Sequence, residues 1–182
     1  MLSSKLALQT TVFNFIFFAF NCLRMGTTAP TAQASGSGDS DEVRAILWRA
    51  LCLSLLISTG LVLLQLPIID SALWMISASA EAETHARTFF LIRIWAMPAA
   101  LATYAVVGWL YGLEDARVPL VLQITTNVIN IALDFLFVFG FGWGVAGVAM
   151  AGLIADVVGL SIAFYFIFRR LGSIGGTTHW GR

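Results

Sequence analysis

Apolar and polar residues follow one another along this chain in long blocks, uncharged runs separated by short polar connections. A bilayer core about 30 Å thick takes about 20 apolar residues as a helix, so each run of that length reads as a membrane span. Leu6–Leu23, Ala50–Ile69 and Ile94–Leu113 carry no charge. From Val118 to Phe168 only Asp134 and Asp156 are charged, and a single helix over those 51 residues would reach about 76 Å, more than twice the core. The chain must turn back within it. Gly140, Gly142 and Gly144, interleaved with Phe141 and Trp143, supply a permissive backbone and interfacial aromatics for that turn, which divides the run into Val118–Phe139 and Val145–Phe168. The expected fold class is all-α, a polytopic membrane helix bundle with five transmembrane helices.

The connections carry their own signals. Ser35–Glu42 is a polar linker whose Asp39, Asp41 and Glu42 sit where a following helix N-terminus favours negative charge. Gly112–Pro119 is a second short connection, with Pro119 in the first turn of the next helix. Pro98 predicts a kink inside the third span. Asp70–Thr88 is the longest connector and is expected to hold a short surface helix. Lys5, the first apolar run and the Ala32–Gln33–Ala34 pattern imitate a secretory signal, but the run exceeds an h-region and Arg24 and Pro30 intervene, which favours a retained helix.

Lys5, Arg87 and Arg93 fall on one side of these spans, and Arg24, Arg44, Arg49, Arg117, Arg169, Arg170 and Arg182 on the other. The positive-inside bias makes the second side cytoplasmic, so the N-terminus is expected outside and the C-terminus inside. An odd number of spans that begins outside without an export signal is what a membrane protein looks like when a preceding helix is missing.

Composition agrees with the block pattern. The 182 residues are 59% hydrophobic and 11% charged, with a mean hydropathy of +0.88, whereas soluble domains are about 45 to 50% apolar and about 25% charged. Ten basic residues balance ten acidic ones, leaving no excess to neutralise phosphates, and this argues against nucleic acid as a partner. Cys22 and Cys52 lie inside apolar runs without metal-site spacing and read as small packing residues.

Chemistry concentrates in the fourth span. Gln123, Asn127, Asn130 and Asp134 are spaced by four, three and four residues and therefore share one helix face. Such a stripe must face a bundle interior or a watery cavity, because an intramembrane carboxylate costs at least about 2.5 to 3.5 kcal/mol. Burial disfavours a charged carboxylate and a cation or amide donor favours it, so a cavity that wets and dries in turn suits Asp134 to proton or cation exchange, with Asn130 beside it. The bland alternative is interhelical glue, worth about 0.6 kcal/mol per hydrogen bond. Asp156 lies midway along the fifth span, beside a small-residue face of Gly147, Ala151, Ala155 and Gly159, and reads equally as a cavity residue or a structural hydrogen-bond partner. Arg24 and Arg93, close to span ends, are expected to snorkel to the headgroups. His85 and His179 have no partners at ligand spacing, no catalytic motif is present, and the chain is expected to be neither metal-binding nor an enzyme.

Three segments carry a resemblance: Leu23–Gly36 (LRMGTTAPTAQASG), Gly108–Pro119 (GWLYGLEDARVP) and Asn127–Asp156 (NVINIALDFLFVFGFGWGVAGVAMAGLIAD). Together they resemble the multidrug and toxic compound extrusion (MATE) transporters, in the DNA-damage-inducible protein F (DinF) branch. The resemblance implies a twelve-helix antiporter of two six-helix lobes that exports cationic or amphipathic compounds against H⁺ or Na⁺. Residues 1–171 would then be a partial N-terminal lobe, helices two to six, with spans near 6–34, 44–69, 89–113, 118–139 and 145–168, and 172–182 a cytoplasmic tail starting the inter-lobe linker. It implies a plasma (inner) membrane setting, no cofactor beyond the coupling H⁺ or Na⁺, and as partners the lipid bilayer, helix one, the C-terminal lobe and small drug-like molecules. Asn130 and Asp134 match the polar pair lining the family's N-lobe cation cavity. A threonine frequent on helix six is replaced by Gly152, and a small residue in the inner connection by Glu114. The alternative is a non-transporting subunit or degenerate paralogue that associates through the small-residue face; a membrane-embedded enzyme is a weaker third.

Overall fold

The computed structural model describes residues 24–76 and 80–173, all helices and short turns. The expected span at Leu6–Leu23, Cys22 and His179 lie outside the described residues. Helix α1 covers residues 24–36. It ends with Gly38 at φ +73, where Gly38 N donates to Ser35 O at 3.1 Å and Asp39 N to Ala34 O at 3.0 Å, a Schellman termination. Asp39 then caps α2 (Ser40–Leu63), its side chain accepting from Glu42 N at 3.0 Å.

The same device recurs between α5 (Met97–Gly112) and α6 (Arg117–Asp134). Glu114 N donates to Tyr111 O and Asp115 N to Leu110 O, both at 3.0 Å. The Asp115 carboxylate then accepts from Arg117 N at 3.2 Å and Val118 N at 3.3 Å. Here the left-handed position is filled by Glu114, at φ +59, instead of glycine.

Two prolines set local breaks. Pro67 cannot donate, and its ring collides with the preceding turn, so α2 stops at Leu63 and α3 (Gln65–Ile76) restarts beyond Leu64. The uncharged run Ala50–Ile69 is therefore shared between two helices. Pro98 leaves the Ile94 carbonyl without its helical partner; Met97 N bonds it instead, and Ile94–Ala96 tightens into a 3₁₀ turn. That turn joins α4 (Ala80–Arg93) to α5, and the three pieces form one continuous helical stretch, Ala80–Gly112, polar at its start and apolar beyond. The helix thus begins well before Ile94, and Arg93 lies within it.

After Asp134 the helix widens into a π segment, Phe135–Gly140, which leads to the turn at Gly142 (φ +68) and Gly144 (φ +52) and into α7 (Gly144–Ser173). The aromatics stack here, with the Phe137 and Trp143 ring centroids 5.2 Å apart. The reversal falls where the glycines place it.

Helix α7 packs on α6, α4 and α5, and α2 packs on α5. Trp109, Leu47, Leu110, Leu122 and Ile167 form the main core, with Trp109 Nε1 donating to Val43 O at 2.9 Å. Close approach of α1 to α5 depends on Gly108 and Gly112: a Cβ at Gly108 would lie 2.5 Å from Arg24 O, and one at Gly112 would lie 2.5 Å from Thr31 Cβ. Thr28 Oγ1 donates to Gly108 O at 3.0 Å across this contact.

The small-residue face of α7 is used within the chain. Ala151 and Ala155 are buried, a Cβ at Gly147 would meet Phe137 at 3.1 Å, and one at Gly159 would meet Thr126 Oγ1 at 2.6 Å. Within the chain that face is taken up by α6 and the π segment that follows it, so it is not open for the association that the alternative reading has. Cys52 is a second correction. It is exposed on α2 among exposed Leu53, Leu55 and Leu56, an apolar strip suited to lipid, and so is not a packing residue.

Among the described residues four helical stretches are long and apolar enough to cross a membrane: Ser40–Leu63, Ala80–Gly112, Arg117–Gly140 and Gly144–Gly172. Arg117–Gly140 is 11% buried, against 28% or more for the others, so α6 presents most of its surface outward.

Candidate functional site

The polar stripe of α6 divides into two halves. Gln123 and Asn127 are exposed and bonded to each other, Gln123 Nε2 donating to Asn127 Oδ1 at 3.2 Å. Asn130 and Asp134, one to two turns further, turn against α7. In the amide orientation that satisfies its neighbours, Asn130 Nδ2 donates to Asp134 Oδ2 at 3.0 Å and its oxygen accepts from Gly152 N at 3.3 Å. The other carboxylate oxygen, Asp134 Oδ1, is buried with no hydrogen-bond partner among the described residues. A buried acceptor left open costs about 1 to 3 kcal/mol, more if charged, so this oxygen is an unsatisfied position within the bundle.

Asp156 reaches the same region from α7, and what holds it is Arg93. The guanidinium donates to Asp156 Oδ2 at 2.6 Å, with the side chains 32% and 21% exposed. Arg93 therefore does not snorkel to a headgroup. It sits in the bundle because the continuous Ala80–Gly112 helix carries it inward, and because Gly152 leaves room: a Cβ there would lie 3.2 Å from Arg93 Cζ and Nε and 3.4 Å from the Asn130 amide. Gly152 is thus the hub at which Arg93, Asn130 and, through Asn130, Asp134 come together. The cluster holds two carboxylates and one guanidinium, one positive charge short of balance.

Sequence reasoning groups Gln123, Asn127, Asn130 and Asp134 as one cavity stripe, of which only Asn130 and Asp134 turn against α7, leaves Asp156 between cavity residue and hydrogen-bond partner, and misses its pairing with Arg93. The signal was present in the residues before it, since Thr88, Phe89, Phe90, Leu91 and Ile92 are as fit for the membrane as those that follow. Arg24, also expected to snorkel, has its backbone packed on Gly108 and lines a shallow groove with Met25, Thr28, Ala29 and Tyr111.

The sequence matches the family model described as MatE over residues 4–136. The chain belongs to the MatE family. It is 37% identical to the DNA damage-inducible protein F of Escherichia coli (strain K12) over 161 residues, which is 88% of this chain and 35% of that protein. To a probable multidrug resistance protein NorM of Thermotoga maritima it is 30% identical over 173 residues, 92% of this chain and 37% of the relative. Among solved structures it superposes on a MATE crystal structure in the bent conformation with a TM-score of 0.81 at 26% identity, covering 91% of this chain and 37% of that one. An inward-facing multidrug resistance MATE family transporter of the MOP superfamily gives a TM-score of 0.80 at 27% identity, over 86% of this chain and 36% of that one. The chain spans about a third of the length of these relatives. As a MatE family member it is a piece of an all-helical membrane transporter fold.

Proposed function

We propose that this chain forms helices two to six of the N-terminal lobe of a multidrug antiporter, one that exports cationic or amphipathic compounds against H⁺ or Na⁺. The observation that carries the reading is the open oxygen of Asp134, buried in a span otherwise covered by Leu120, Ile129, Leu133 and Val138 and fixed through its other oxygen by Asn130. A carboxylate held on one side and open on the other binds a single cation with little reorganisation. Its charge state alters the cost of closing the cavity around it, which is how ion binding biases one lobe arrangement over another.

The exposed Gln123 and Asn127 and the outward apolar surface of α6 are where helix one and the second lobe would pack, with the drug-like substrate held between lobes near mid-membrane. Asp156 belongs to the same cavity. The chain's C-terminal end, with Arg169 and Arg170, and the Asp39 and Asp115 turns would face the cytoplasm of the plasma (inner) membrane, as the arginine distribution favours.

The test is Asp134→Asn in the complete protein. Reconstituted in proteoliposomes under an imposed pH gradient, the variant is expected to lose ethidium efflux while still folding and inserting. Undiminished efflux would eliminate Asp134 as the coupling residue.

A further inference from the structure

Resting on the antiporter reading only for which end of the bundle faces the cytoplasm, we propose that a cleft at that end, beside Arg169 and Arg170, holds the headgroup of one anionic phospholipid. The cleft, of about 340 Å³, is lined by Leu110 of α5, Asp115 of the α5–α6 connection, Val118 of α6, and Phe166, Arg169 and Arg170 of α7. Its depth follows from the spans, because three of them end here: Ala80–Gly112 and Gly144–Gly172 finish at this level and Arg117–Gly140 begins at it. That is headgroup depth, where Tyr165 and Phe168, both 62% exposed, supply interfacial aromatics.

The lining divides as a phospholipid does. Leu110, Val118 and Phe166 give an apolar wall for the glycerol and the first methylenes, and two guanidinium groups stand beside it for the phosphate. A phosphate diester presents two non-ester oxygens that share one negative charge, which the planar fork of an arginine meets bidentately. Basic pockets between membrane helices on the cytoplasmic side suit anionic headgroups for this reason. Asp115 is the acid in the lining, and its oxygens are engaged: Oδ1 accepts from Arg117 N at 3.2 Å and Val118 N at 3.3 Å, and Oδ2 lies 4.0 Å from Arg170 Nη2. It steadies Arg170 at the wall of the cleft, while two guanidinium groups against one carboxylate leave a positive excess. The last turn of α7 is itself held, with Arg44 Nη2 donating to Leu171 O at 2.6 Å, so the backbone carrying the arginines is ordered before any ligand arrives. Choline and ethanolamine headgroups bring a cation of their own, which the positive excess repels. Phosphatidylglycerol brings none and is the favoured class.

The experiment titrates phosphatidylglycerol or phosphatidylcholine into the delipidated complete protein in micelles and counts retained lipid by native mass spectrometry. Wild type is expected to retain one phosphatidylglycerol in preference to phosphatidylcholine. R169Q and R170Q are each expected to weaken that retention by about fivefold, and together by about thirtyfold. V118W keeps every charge and fills the cleft, so it is expected to abolish retention; V118F is read in its place if V118W fails to fold. R49Q, which removes an exposed arginine paired with Glu42 and outside the cleft lining, is expected to change nothing. Equal retention of the two lipids by wild type, unchanged retention in the R169Q and R170Q double variant, or retention by folded cleft-filled protein overturns the proposal. So does an equal loss in R49Q, which would mark diffuse surface charge. Inorganic phosphate or glycerol phosphate that displaces the lipid at equal concentration would assign the cleft to a free phosphate and overturn the lipid. Ethidium efflux by D134N is measured separately, and its outcome bears on the antiporter reading alone, since lipid retention is read without transport.

Discussion

Gly108 offers a test in which two effects of opposite sign compete. In a helix interior, glycine to alanine normally gains about 1 kcal/mol from backbone entropy and propensity. At Gly108 the new Cβ would lie 2.5 Å from Arg24 O and 3.2 Å from its carbonyl carbon and Cα. All three are backbone atoms, so no side chain can swing aside and α1 must move off α5 by close to an ångström. A gap of about 0.5 to 1 Å forfeits a quarter to a half of each dispersion contact along the seam. It also stretches the Thr28 hydroxyl bond to Gly108 O, now 3.0 Å, worth about 0.6 kcal/mol in a membrane. Overpacking of this kind costs about 1 to 3 kcal/mol. Gly108→Ala is therefore expected to destabilise by about 1 to 2 kcal/mol net of the propensity gain. Gly60 is the internal control: it lies in α2 with nothing within 4 Å of its Cβ position, so Gly60→Ala should gain up to about 1 kcal/mol. The assay is reversible denaturant unfolding in micelles followed by tryptophan fluorescence. Equal shifts of the same sign in the two variants would refute the close-packing argument.

Other expectations follow from separate parts of the chain. Glu114→Gly relieves the left-handed backbone at φ +59 and should raise stability by about 0.5 to 1 kcal/mol, seen as a higher Tm; an unchanged or lower Tm would contradict the termination geometry. Trp109→Phe removes the bond to Val43 O and leaves a void in the main core, for an expected loss of about 1 to 3 kcal/mol in the same unfolding assay. In a Cys22→Ala background, Cys52 should be alkylated by a membrane-permeant maleimide in vesicles and resist a charged thiol reagent, because its exposed neighbours are leucines. Arg87→Gln removes the exposed ion pair with Asp70 and should change stability by less than about 1 kcal/mol.

Much of the fold is legible in the residues because the bilayer imposes a simple rule, that uncharged runs cross and glycine clusters turn. Gly142 and Gly144 fall where the reversal occurs, and Asp39 caps the helix its acidity foretells. The stripe from Gln123 to Asp134 is readable because helical spacing alone puts it on one face. The apolar residues before Arg93 hint that its helix extends backward, but they do not show what the guanidinium pairs with. Whether a cation near the edge of an apolar run escapes to water depends on how far the helix extends behind it, and here α4 continues the helix back to Ala80 through a segment containing Glu81, Glu83 and His85. Its partner lies on another helix, and no local pattern encodes that pairing. The break at Leu64 was available from Pro67, but an uncharged run conceals it when charge is the only criterion. The role of Gly152 emerges only when an arginine and an asparagine are seen to fill the same space.

The Arg93–Asp156 pair spans 63 residues of sequence, and this has a consequence for biogenesis. At about 5 to 20 residues per second, the ribosome delivers Asp156 roughly 3 to 13 seconds after Arg93. During that interval the α4–α5 segment must enter the bilayer with an unpaired guanidinium, at about 2.5 to 3.5 kcal/mol on insertion scales. The nascent segment is therefore expected to sit shallow, with Arg93 at the headgroups, and to slide inward only when α7 arrives with its carboxylate. The position that charge patterning assigns to Arg93 then describes the chain during synthesis, and the ion pair describes it once assembly is complete.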